Sequence, residues 1–315
     1  MKRFLSLLIS IVLLLSFTAV ATAASAEVTG NVRVWYKVTS DTNYFWFDRL
    51  ALTFKESLSE NHGFRGDLLF KQVDKNSQTS GDIRVTAVYF YQKNLLGNDE
   101  LNIGYFDIPF YSDKTVALNA TAGLSSTIYG SYSYNYLWPK QSLGLKYDYK
   151  ADSFEVIAAL TNAANLKNDN ATVTGYDYAV RGLFTPITGL TFGLSYAKDV
   201  TDSAADNYNQ DVVVDANFVT GPLGIFVEYD NQTPYSGGST GTAKTGIYFE
   251  GTYKISDSFT AYIGGSPSAQ DFTGNNSFYL AGGKYQLAPK ATLQGEYLIP
   301  SGNSGSLNFR LKVDF

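Results

Sequence analysis

The side chains in this chain that could carry chemistry are its charges, because the usual catalytic and metal-binding residues are nearly missing. There is no Cys and a single His, His62. That excludes a disulfide scaffold, a thiolate metal or Fe–S site, a Cys nucleophile and a lipidated N-terminal cysteine. It leaves little room for His-based proton transfer or a multi-His metal centre. Beyond residue 26 the chain holds six arginines: Arg33, Arg49, Arg65, Arg84, Arg181 and Arg310. Each alternates with apolar neighbours, as Arg49 does with Leu50, Leu52 and Phe54. All six therefore fall opposite the apolar face of an extended strand, which chance alone gives roughly one time in sixty.

Five of the six, together with Lys71, lie near the two ends of the chain; carboxylates of the same parity are distributed differently. Glu155, Asp177, Asp215, Glu228, Glu250 and Glu296 come later, and only Asp67 comes early. If the first and last strands close on each other, a basic wall faces acidic groups. Fixed charges of opposite sign across a wet space set a transverse field that orders water and small solutes. Such a field needs no cofactor and no metal. A pI near 5.0 speaks against nucleic acid, whose binding surfaces are basic.

The elements that must hold these charges are strands. Lys2 and Arg3 precede an apolar run from Phe4 to Val20, followed by small residues with A-x-A patterns ending at Ala23 and Ala26. This is the anatomy of a cleavable export signal, read here as residues 1–26, with an uncleaved anchor as the alternative. Residues 27–315 then form one domain of a single texture. Segments of about ten residues alternate apolar and polar, separated by Gly, Asn, Asp, Ser and Pro clusters. Sixteen such segments can be counted, from Val28–Val38 to Leu307–Phe315. Short connections such as Ser57–His62 and Lys150–Asp152 alternate with long ones such as Asn162–Val173. Short turns on one rim and long loops on the other predict an all-β, 16-stranded antiparallel transmembrane β-barrel, with 14 or 18 strands as alternatives.

A secreted sandwich or propeller also alternates. Two features favour the barrel. Aromatic residues sit at strand ends on the apolar face (Tyr89, Tyr91, Tyr147, Tyr149, Tyr176, Tyr178, Tyr196, Tyr229), as an interfacial girdle requires. The opposite face carries charges mid-strand, which a packed sandwich core would reject.

The last segment places Leu307, Phe309, Leu311, Val313 and Phe315 on one face and ends the chain on an aromatic ring. Phe309, Leu311, Val313 and Phe315 resemble the assembly signal of bacterial outer-membrane barrels. That resemblance implies barrel-assembly machinery, periplasmic chaperones and outer-membrane lipid as partners.

Two stretches resemble the general bacterial porins. One is Asp48-Arg-Leu-Ala-Leu-Thr-Phe-Lys55 with Phe64-Arg-Gly-Asp-Leu-Leu-Phe-Lys-Gln72. The other is Ile83-Arg-Val-Thr-Ala-Val-Tyr89 with Glu100-Leu-Asn-Ile-Gly-Tyr-Phe-Asp-Ile-Pro-Phe110. The resemblance is detailed over the first 110 residues and by pattern in the last strand. It implies a bacterial outer-membrane diffusion pore for small hydrophilic solutes, often a homotrimer, whose third loop folds into the lumen. That loop is Ile108–Pro139, weakly charged and rich in Ser, Thr, Gly and Tyr, without the acidic Gly-rich motif of the family. Asp107, Asp113, Lys114, Tyr129 and Tyr132 are its candidate constriction residues.

The remaining signals are weaker. The Gly-rich Ser236–Lys244 lacks phosphate-loop spacing. Asn168–Asn170 and Asp206–Asp211 read as solvated loops rather than Ca²⁺ sites. Other functional classes stay open at this point: a structural or adhesive barrel with a closed lumen, and a barrel enzyme, for which His62 would be the sole imidazole.

Overall fold

The computed structural model describes residues 26–41, 43–72, 81–109, 141–162, 176–202, 207–269, 277–300 and 304–315. Among them there is no helix. The strands are β1 (Glu27–Val38), β2 (Asn43–Ser57), β3 (His62–Gln72), β4 (Gly81–Lys93), β5 (Asp99–Asp107), β6 (Gln141–Lys150), β7 (Phe154–Asn162) and β8 (Tyr176–Ile187). They continue as β9 (Leu190–Asp202), β10 (Asn207–Thr220), β11 (Leu223–Ser236), β12 (Ser239–Thr240), β13 (Lys244–Lys254), β14 (Phe259–Ala269), β15 (Phe278–Ala288), β16 (Ala291–Pro300) and β17 (Ser306–Asp314).

Every strand pairs antiparallel with its neighbours in sequence, and β1 pairs with β17 to close the sheet. The two-residue β12 is a small addition to the β11–β13 loop, so the barrel proper has sixteen strands. All sixteen segments expected from the alternation form strands. Closure is what a lipid environment demands, because an open edge there would leave backbone amides without partners.

The alternation sorts residues between lipid and interior. Leu194, Val214, Ile225, Ile263, Ile299 and Leu311 point outward and are exposed on the barrel surface. The charged and amide side chains at the positions between them point in. Tyr176, Tyr178 and Tyr229 stand exposed on the outer surface, as a girdle requires.

Tyr89 and Tyr91 do not. In β3–β4 the register runs Asp67 opposite Ala87, then Leu68 opposite Val85, so Thr86 is an extra residue on β4. A bulge of one residue inverts the faces beyond it. Ile83 and Val85 point outward before it, and Val88 points outward after it. Tyr89 and Tyr91 thereby turn inward. Tyr91 is buried, its hydroxyl 3.2 Å from Ser57 Oγ, and the ammonium groups of Lys55 and Lys93 lie 5.7 and 5.5 Å from its ring centre. The bulge converts two expected lipid-facing rings into interior ones.

Candidate functional site

Interior charges on one side of the barrel form rungs across β2, β1, β17, β16 and β15. Strand register sets Arg49 opposite Arg33, Arg33 opposite Lys312, Lys312 opposite Thr292, and Thr292 opposite Gln286. The next rung runs Trp35, Arg310, Gln294, Lys284. Local contacts orient these cations. Arg33 Nε donates to Asn31 Oδ1 at 3.2 Å, and Arg310 Nη2 donates to Gln294 Oε1 at 2.9 Å. The Arg310 guanidinium lies 5.6 Å from the Trp35 ring centre, and Lys312 pairs with Asp314 at 2.8 Å.

Further along this wall, Arg65 is half exposed and bonded to Asp67 at 3.0 Å. An ion pair so open to water contributes little to stability. The backbone of Lys71 stands opposite Arg49 and that of Arg84 opposite Leu69; their side chains lie outside the described residues.

The opposite character appears from β8 onward. Asp177, Asp215, Glu228, Glu250 and Glu296 are all buried, and Asp211 and Asp230 join them. Arg181 is set among these acids. Its Nη2 donates to Asp215 Oδ2 and its Nη1 to Ser195 Oγ, both at 2.6 Å. The pair bridges β8 and β10 across β9, and Gly193 makes the crossing possible. A Cβ there would stand 2.6 Å from the Arg181 Nη2 atom, so any side chain would displace the ion pair.

Two tyrosines hold the carboxylates on β13 and β16. Tyr248 donates to Glu250 Oε2 at 2.9 Å, and Tyr262 donates to Glu296 Oε2 at 3.1 Å. Gln294 Nε2 donates in turn to Tyr262 Oη at 2.9 Å. Arg310, Gln294, Tyr262 and Glu296 therefore form one directed chain of donors from the basic wall to the acidic one. Each link orients the next, so the field between the walls is fixed in place by the sheet.

Glu155 stands apart from this set. It sits at the short-turn rim, 3.2 Å from Lys150, which also pairs with Asp148 at 3.4 Å. The third loop begins with an inward contact: Ile108 is buried together with Ala179 and Ala197, interior residues of β8 and β9. Asp113, Lys114, Tyr129 and Tyr132 lie outside the described residues, as does the side chain of Asp107 at the end of β5.

Parity reasoning overlooked several interior groups that parity could have found. Asp211 and Asp230 share the faces of Asp215 and Glu228, and Lys312 that of Arg310. Tyr248 shares the parity of Glu250, and Tyr262 alternates with the outward Ile263, so parity also places both rings inside, against the tendency of aromatic residues on such strands to read as lipid-facing.

At the C-terminus, Leu311, Val313 and Phe315 are exposed on the outer surface, and Phe309 faces the same way, stacked 6.4 Å from Tyr36. His62 opens β3 at the end of a short turn, with Nδ1 2.7 Å from Ser59 Oγ. That hydroxyl also accepts the backbone amides of Asn61 and His62, the pattern of a turn cap.

Neither a protein-family model nor a curated protein sequence matches the chain. Solved structures do. OmpT of Vibrio cholerae in its trimer form superposes with a TM-score of 0.68 at 17% identity, over 93% of this chain and 100% of that one. Salmonella typhi OmpF in complex with daunomycin gives 0.70 at 11% identity, over 93% and 98%. An anion-selective porin from Comamonas acidovorans gives 0.67 at 11% identity, over 93% and 100%. Closed sixteen-stranded architecture, apolar exterior, charged interior and these superpositions agree: the chain has the general bacterial outer-membrane porin fold.

Proposed function

We propose that the protein forms a water-filled channel through the bacterial outer membrane, passing small hydrophilic solutes and ions passively and without a cofactor. The carrying observation is the interior itself. Arg33, Arg49, Arg310 and Lys312 stand on the inner face of a closed barrel about its β1–β17 seam, and Asp177, Glu228, Glu250 and Glu296 are buried on its inner face from β8 onward. A dry interior rejects so many charges. The inward packing of Ile108 supports a third loop that enters the lumen and narrows it. Residues 1–26 serve as a cleaved export signal, and periplasmic chaperones and the barrel-assembly machinery deliver the chain. The trimer form of the Vibrio cholerae OmpT neighbour supports a homotrimer.

Single-channel conductance of the refolded protein in planar bilayers tests this reading. Stepwise KCl conductance is expected. Replacing Lys114–Tyr132 with a short Gly/Ser bridge should raise it severalfold. A folded barrel that does not conduct would be a closed structural or adhesive one. Turnover of a lipid or peptide substrate lost in His62→Ala would instead mark a barrel enzyme.

A further inference from the structure

The two basic rungs enclose more than a wall. Arg33, Lys284, Arg310 and Lys312 surround a recess of about 280 Å³, with Gln286, Thr292, Gln294, Pro289 and Asp314 completing its lining. Pro289 belongs to the β15–β16 turn, which places the recess at the short-turn mouth of the barrel. Four cations against one carboxylate leave it strongly positive. Asp314 is engaged by Lys312 at 2.8 Å. The charges acting on Lys284 are Lys312, Arg310 and Asp314, two cations and one acid. Cations crowded on neighbouring rungs repel one another, and a multivalent anion held between them relieves that repulsion. The amides of Gln286 and Gln294 and the hydroxyl of Thr292 add neutral donors, suited to oxygen-rich ligands.

We infer that this recess is a binding site for small multivalent oxyanions, with phosphate-bearing solutes as the class it fits. The site deepens the channel reading and rests on it for its role: solutes carrying phosphate would pause at the short-turn mouth as they cross. Lys284 and Lys312 carry the specificity, since flexible ammonium groups can converge on a phosphate. Arg310 is held by Gln294 and sets the back wall.

Titration calorimetry of the folded, detergent-solubilised full-length protein with pyrophosphate tests the site directly. Saturable binding is expected, stronger than for chloride and weakening as KCl rises from about 50 to about 300 mM. Lys284→Gln with Lys312→Gln should weaken binding about tenfold or more, and Lys284→Arg with Lys312→Arg should retain it. Lys254→Gln, at the end of β13 where Lys254 pairs with Asp257, should leave binding unchanged. The single variants Lys284→Gln and Lys312→Gln serve if the double variant does not fold. Absence of saturable heat in the wild type, or equal affinity in the Gln variants, overturns the proposal. Pyrophosphate binding without KCl conductance would keep the site and remove the channel reading; conductance without binding would do the reverse.

Discussion

Phe315 closes the barrel on Gly30. The Phe315 amide donates to the Gly30 carbonyl at 3.0 Å, and the Gly30 amide donates to the Phe315 carbonyl at 3.1 Å. A Cβ on residue 30 would stand 2.7 Å from Cζ of the Phe315 ring, so the terminal ring lies where residue 30 has no side chain. The last aromatic residue and a glycine in the first strand are thus one structural unit, the seam that removes the final free edge.

Disturbing either half of that seam should impair insertion rather than conduction. Deleting Phe315, or introducing Gly30→Leu, should lower the yield of folded barrel on heat-modifiability gels while export continues. Barrels that do assemble should conduct as wild type, because Phe315 is on the outer surface. Normal yield from both variants would remove the role assigned to the seam.

The bulge at Thr86 makes a prediction that parity alone would invert. The chain contains no cysteine, so single Cys substitutions report cleanly. Tyr89→Cys and Tyr91→Cys should react with a membrane-impermeant thiol reagent from the aqueous lumen. Val88→Cys and Phe90→Cys should react only with a lipid-soluble one. The opposite labelling pattern would mean β4 runs without the extra residue.

Arg181 and Asp215 are both buried, so removing one charge strands the other. Arg181→Met should cost about 3–5 kcal/mol, read as a lower urea midpoint in detergent or lipid. Combining it with Asp215→Asn should recover more than half of that loss, since the carboxylate that Arg181 pairs with is then no longer left as an uncompensated buried charge. A loss below about 1 kcal/mol would place the pair in contact with water, as exposed pairs behave.

On the basic wall, Arg33→Gln with Arg49→Gln should leave the barrel folded, because two opposed like charges are removed together. In a KCl gradient the reversal potential should move toward cation preference, and the shift should shrink at high salt, where screening shortens to about 3 Å at 1 M. Unaltered selectivity in a folded variant would put both arginines off the conduction path.

Much of the architecture was legible in the sequence because period-two alternation is local. Each run from Val28–Val38 to Leu307–Phe315 declares a lipid face by itself, and an arginine on that face would cost ~2–4 kcal/mol at mid-membrane. Arg33, Arg49 and Arg310 could therefore be placed inside without knowing their neighbours. Tyr89 and Tyr91 could not, since their alternation with Val85 and Ala87 continues smoothly in sequence. Only the pairing of β4 with β3 makes Thr86 surplus and turns both rings inward. Depth and partnership were likewise beyond a linear reading. Glu155 and Asp215 share an inward parity, yet one pairs with Lys150 at the rim and the other with Arg181 in the interior. Lys284 and Arg310 meet across β16, and Arg33, near the other end of the chain, joins them because closure of β17 on β1 aligns the rungs. Alternation determines which side of a strand a residue faces; hydrogen-bond register and closure decide whom it meets there.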